Sequence, residues 1–284
     1  SDCGRRQQGW ISRLLGLGFQ VALAVGAVSP PALAAGDAES GRIRRLLADI
    51  DNGNWQGAQR LADGPNAALL QPYVRWRELL ERTDALPFTS YVDFMRAHPD
   101  WPSHGTLQLR AEDGLDASIP NETRLAFFAD RAPRSRQGRQ LLAEALIATS
   151  RQQEAAALLR QSWVLDDFDA ATEGTFRDRF GGFLRPEDDL ARLDRLLWDG
   201  KTDQARRLLP RVRGSERAVA TARIALRESD PGVERAIAAV PKEAQGDAGL
   251  LFDRLRWREQ RGNENGVQEI LLSPPDELRR PELW

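Results

Sequence analysis

Apolar positions recur at three- and four-residue spacing in one segment after another, the period of a helix with one buried face. Leu190, Leu193, Leu196 and Leu197 share such a face, as do Leu141, Leu142, Ala145 and Leu146, and Leu251, Phe252 and Leu255. Alternating β-branched runs are missing, only two tyrosines occur, and the interiors are filled with Ala, Leu and Arg, all strong helix formers. The pattern predicts an all-α protein.

The breaks between helical segments repeat as well. Four times a small turn residue is followed by a small residue five positions on and an aliphatic one eight on: Gly53, Ala58, Leu61; Ser150, Ala155, Leu158 and Leu159; Gly200, Ala205, Leu208 and Leu209; Gly262, Val267, Ile270 and Leu271. This reads as a helical hairpin, in which the turn residue ends one helix and the small residue lets the next approach closely. Successive turns lie 97, 50 and 62 residues apart, too irregular for a tetratricopeptide array of about 34 residues per unit. Irregular hairpins still predict a curved solenoid, each unit burying its apolar face on its neighbours, with roughly seven or eight units at ordinary element lengths. Pro65, Pro120, Pro210, Pro241 and Pro274-Pro275 mark the expected joints, and Asp230-Pro231 predicts a capping Asp before a proline at a helix's first position.

The composition, 284 residues at 41% hydrophobic and 29% charged, fits a globular chain. Only Lys201 and Lys242 are lysines; arginines scattered among Asp and Glu supply the remaining positive charge, for a net −2. Interspersed signs read as solvated helix faces and argue against nucleic-acid binding.

The N-terminus carries a separate signal. Arg5, Arg6 and Arg13 surround the start of an uncharged run, Leu14 to Val28, followed by Ser29-Pro30-Pro31 and an Ala32-Leu33-Ala34 cleavage pattern. Residues 1–34 are the expected secretory leader, cleaved between Ala34 and Ala35 to deliver residues 35–284 to the periplasm, with no membrane span left behind. The only cysteine, Cys3, lies in that leader, so disulfides and thiolate chemistry are not expected in the mature chain.

Candidate chemistry is sparse. His98, Asp100 and His104 in HPDWPSH could be imagined around a metal, but two prolines bend the segment and nothing completes a ligand set. A phosphate loop, a dinucleotide fingerprint and a nucleophile–histidine arrangement are all missing. Gly181-Gly182 reads as a turn. The tryptophans at 55, 76, 101, 163, 198, 257 and 284 are expected to pack in cores or between hairpins more than to stack on sugars. No catalytic residue, cofactor or metal is assigned.

The stretch Arg185 to Gly200, RPEDDLARLDRLLWDG, resembles a hallmark of the soluble lytic murein transglycosylases. Three further segments resemble the family in the same order: FMRAHPDWPS (Phe94 to Ser103), LFDRLRWREQRG (Leu251 to Gly262) and the ending PPDELRRPELW. The resemblance covers about residue 40 onward. It implies a superhelical, ring- or U-forming scaffold over residues 35–284, with peptidoglycan glycan strands and the protein's own lysozyme-like catalytic domain, expected beyond Trp284, as partners. That domain would cleave the β-1,4 bond between N-acetylmuramic acid and N-acetylglucosamine, leaving 1,6-anhydromuramoyl ends. The family's catalytic Glu-Ser motif is not matched: Glu39-Ser40 and Glu228-Ser229 lack its surroundings, and this segment alone is expected to be inactive. Asp189-Leu190 also departs from the family's Asp-His. A free-standing periplasmic helical-repeat adaptor that binds protein partners is the alternative.

Overall fold

The computed structural model describes residues 30–84, 86–275 and 277–284. Among them are fifteen α-helices and no strand. They divide into two compact units, one ending at Arg82 and one running from Thr83 to Trp284. The first holds α1 (Pro30–Asp51), α2 (Trp55–Ala62) and α3 (Ala67–Glu81). The second holds α4 (Phe88–Ala97), α5 (His104–Asp113), α6 (Asn121–Phe127), α7 (Arg136–Ala148), α8 (Gln152–Leu165), α9 (Ala170–Phe180), α10 (Pro186–Trp198), α11 (Thr202–Leu208), α12 (Gly214–Glu228), α13 (Val233–Ala238), α14 (Ala248–Gln260) and α15 (Glu264–Leu272). The expected leader falls mostly outside the described residues; its last five positions begin α1.

The all-α expectation holds, and so does the repeated turn. Gly53, Ser150, Gly200 and Gly262 all have a left-handed backbone, with φ of 71°, 61°, 73° and 65°. After each, the next residue's N–H reaches back five positions: Asn54 to Asp49 O (2.8 Å), Arg151 to Leu146 O (2.8 Å), Lys201 to Leu196 O (2.8 Å) and Asn263 to Arg258 O (3.0 Å). This hydrogen bond ends a helix in a Schellman turn, satisfying a carbonyl that the helix leaves orphaned. Twice an Asn then caps the incoming helix: Asn54 accepts from Gly57 N (3.2 Å) and Asn263 from Gly266 N (2.9 Å). The small residues five on, Ala58, Ala155 and Ala205, are fully buried in the hairpin seams.

Some details differ from the pattern. In the fourth repeat Val267 is half-buried and Leu271 is 59% exposed, leaving Ile270 to fill the seam alone. The Asp230-Pro231 helix start is corrected: α13 begins at Val233, and Asp230 Oδ1 instead accepts from Gly232 N within the preceding turn (2.5 Å). Ser229 there adopts φ 53°, and Asp230 N donates to Ala225 O (3.0 Å), a fifth Schellman turn. The pattern missed it because Glu234, not a small residue, stands five positions later. Pro72 lies inside α3, where it removes one helical N–H.

In the first unit α1 packs on α2 and α3 around Leu46, Ile50, Ala58, Ala62 and Val74, flanked by Trp55 and Tyr73. In the second unit α7 pairs with α8, α10 with α11 and α14 with α15, while α8, α10, α12 and α14 each lie against the next in that order. Its last part shares a core of Ala222, Leu226, Val233, Val240 and Leu250. Each leucine buried in these seams contributes about 1.5–3 kcal/mol. Neighbour-to-neighbour packing is what brings α10, α12 and α14 together.

Candidate functional site

The segment Arg185 to Gly200 forms the central joint of the second unit. Pro186 occupies the first turn of α10, where its missing N–H costs nothing, and Asp188 Oδ2 accepts from Arg185 N (2.7 Å). Asp189, 8% exposed, accepts from Trp163 Nε1 (2.9 Å) and pairs with Arg177. The fully buried Trp163 ring lies 4.5 Å from the guanidinium carbons of both Arg177 and Arg192. Arg192 is itself fully buried; it donates to Trp163 O (2.7 Å), Asp166 O (2.7 Å) and Gln204 Oε1 (3.1 Å). Burial pushes the Arg192 guanidinium down to about 10, which still leaves it charged at any physiological pH. Leu193, Leu196 and Leu197 fill the core. Trp198, 6% exposed, packs its ring 5.4 Å from Phe252 on α14, under Arg223 from α12 at 4.9 Å.

Arg223 is the second buried cation of the joint. Its Nε donates to Asp253 Oδ2 (2.8 Å) and its Nη1 to Asp194 Oδ1 (3.4 Å). Arg227 also reaches Asp253 (2.7 Å). Burial nevertheless pushes the Asp253 carboxyl above its usual value, against the pull of Arg223 and Arg227. Nη2 of Arg223 is buried without a hydrogen-bond partner. The guanidinium fits because position 249 is glycine: a Cβ there would lie 2.7 Å from Nη2 and closer still to Cζ and Nη1.

Between α10, α12, the turn at Lys242–Ala244 and the start of α14 lies a cleft of about 570 Å³. Leu190, Leu197 and Val219 line its apolar side; Asp194 stands between Arg223 and Arg279, the latter at 3.1 Å. Glu216 and Glu243 are exposed on its edges, and Ser215 donates to Glu216 Oε2 (3.2 Å). The segment after α15 lies over the same joint: Arg279 holds Asp194, and the Trp284 ring sits 5.4 Å from Phe252.

The other sequence candidates occupy structural positions. His98 ends α4, its carbonyl lies 3.1 Å from His104 Nε2, and its ring packs on Phe94 and Trp101. Among the described residues no group of three or more His, Cys, Asp or Glu could hold a metal. Glu39 is paired with Arg42, whose bond holds its carboxyl below the usual range, the opposite of what a general acid needs. Glu228 pairs with Arg206, and Ser229 ends α12. Gly181-Gly182 opens a single 3-10 turn. Trp257 is half-buried against the Ala222 core with Arg261 over its ring at 4.5 Å. Among the described residues no helix is long and apolar enough to cross a membrane.

Sequence reasoning missed Arg192, Arg223 and Asp253, each charged yet buried, and with them the cleft. Two signals pointed there: arginines set among the apolar positions of their helices, and Gly249 inside a helix, which marks a close approach. No protein-family model matches the sequence, and no curated protein or solved structure shows significant similarity to it.

Proposed function

We propose that the chain is the helical scaffold of a periplasmic lytic transglycosylase of the soluble murein type. In this reading residues 35–284 position peptidoglycan glycan strands beside a catalytic domain that cleaves the N-acetylmuramic acid–N-acetylglucosamine bond to 1,6-anhydromuramoyl ends, and the hairpins continue into a superhelix.

One observation carries the reading. Arg185 to Gly200, the segment most like the family, is also the joint on which three successive helices meet, through Asp189, Arg192, Asp194 and Trp198. A motif whose residues lock hairpins together is what a scaffold would keep, and its side chains are spent on packing, leaving chemistry to another domain. Leu271, Leu272, Leu278 and Leu283 stay exposed, and in this reading they meet the neighbouring catalytic domain. That contact serves the adaptor alternative equally, with a partner protein in place of the catalytic domain.

Two measurements test the reading. The coding sequence past Trp284 is expected to continue into a domain bearing a Glu-Ser motif; a stop codon there favours the adaptor. The 284-residue chain is expected to sediment with purified sacculi while releasing no anhydromuropeptides; release would move the chemistry into this segment.

A further inference from the structure

We propose that residues 277–284 form a releasable strap over the α10–α12–α14 joint, held shut by exposed charge pairs that ionic strength loosens. The chain leaves α15 through Ser273 and Pro274-Pro275 and returns to the joint. Arg279 reaches Asp194 of α10 (3.1 Å), and Arg280 reaches Asp199 just past the end of that helix (4.0 Å). The Trp284 ring lies edge-on to Phe252 of α14, at 5.4 Å and 63°; Phe252 also meets Trp198 at 5.4 Å. Closed, the strap puts Arg279 in the wall of the cleft and helps to hold Phe252 to 9% exposure. Open, it uncovers that ring and removes that wall.

The segment is attached as a strap, not as another layer of the core. Its own hydrogen bonds run within it: Leu283 N donates to Arg280 O (3.0 Å), Trp284 N to Pro281 O (3.3 Å) and Trp284 Nε1 to Arg279 O (3.2 Å). Among the described residues no hydrogen bond from its backbone reaches another element. Of the charges that do reach across, Arg279, Arg280 and Asp199 are exposed and Asp194 is half-buried; such pairs hold weakly, and salt screens them. Asp194 keeps a second partner in Arg223 at 3.4 Å, so letting go of Arg279 strands no charge. The backbone opposes closure as well. Arg280 sits at φ 53° and ψ 57° directly before Pro281, although a side chain disfavours the left-handed region and a following proline favours an extended residue. Release relieves that strain, which persists only while the contacts around it hold.

The test is trypsin cleavage of the full chain after Arg279, read by mass as loss of residues 280–284; the bond after Arg280 resists trypsin because proline follows. A synthetic peptide of residues 273–284 gives the rate for the unprotected bond. Between about 0.01 M and about 1 M salt the Debye length falls from about 30 Å to about 3 Å, and each rate is taken relative to the peptide's at the same salt. At the lower salt the chain is cut more slowly than the peptide, and at the higher salt most of that protection is lost. Trp284→Ala, compared with a peptide carrying the same change, loses about two- to tenfold of the protection at low salt, the worth of one edge-on aromatic pair, with helical circular dichroism unchanged. A chain cut as fast as the peptide at low salt has no closed strap. Protection that survives either high salt or Trp284→Ala undiminished belongs to a fixed part of the fold. Each of these results overturns the proposal.

Discussion

Gly249→Ala gives a direct test of how the joint is built. The new Cβ would lie 2.7 Å from Arg223 Nη2 and closer to Cζ and Nη1. The far end of an arginine usually swings aside easily, but here it is 1% exposed, bonded to Asp253 and Asp194 and laid over Trp198. Displacing it breaks a buried pair, which costs about 3–5 kcal/mol when one charge is stranded. Arg227 remains on Asp253 at 2.7 Å, which holds the cost near the lower end. Alanine in place of a helical glycine offsets up to about 1 kcal/mol. The net expectation is a loss of about 2–3 kcal/mol, a fall of about 4–12 °C in the thermal midpoint for a unit of this size. The measurement is a double-mutant cycle on circular-dichroism melts with Arg223→Met. In the methionine background Gly249→Ala is expected to be neutral or stabilising, because the clash is gone. An unchanged melt for Gly249→Ala alone, or the same penalty in both backgrounds, refutes the mechanism.

Ser150 and Gly200 hold the same left-handed turn with φ of 61° and 73°. Ser150→Gly is therefore expected to stabilise by about 1 kcal/mol and Gly200→Ala to destabilise by a similar amount, read as opposite shifts in midpoint. Leu197, 2% exposed between α10 and its neighbours, is expected to cost about 2–5 kcal/mol on change to Ala; urea midpoints check it. Burial pushes the Asp167 carboxyl up, but bonds from Lys201 and Arg195 outweigh it and hold the group below its usual value. A depressed carboxylate contributes stability that is present above its unfolded value, about pH 4, and lost as pH falls through its folded value. Acid melts at low salt are thus expected to fall off less steeply for Asp167→Asn, and high salt, which screens exposed charges, is expected to erase the difference.

Much of the fold was legible in residue order because helices are local. Their period, caps and turns involve residues within five positions, so Gly53, Ser150, Gly200 and Gly262 announced four hairpins that the structure closes with the same hydrogen bond. The turn at Ser229 escaped because its left-handed residue is followed by Glu234 rather than a small residue. The helix start at Pro231 was misplaced because an Asp side chain can satisfy a turn as readily as a helix end. What the sequence could not place were arginines meeting partners far along the chain: Arg223 with Asp253 and Arg192 with Trp163 and Asp166, each across 26 to 30 positions, and Arg279 with Asp194 across 85. Linear spacing can mark an arginine set among the apolar positions of its helix, but it does not show which distant groups would let that arginine leave water. The choice is made only when neighbouring helices supply carboxylates, carbonyls and an indole face to a guanidinium leaving water.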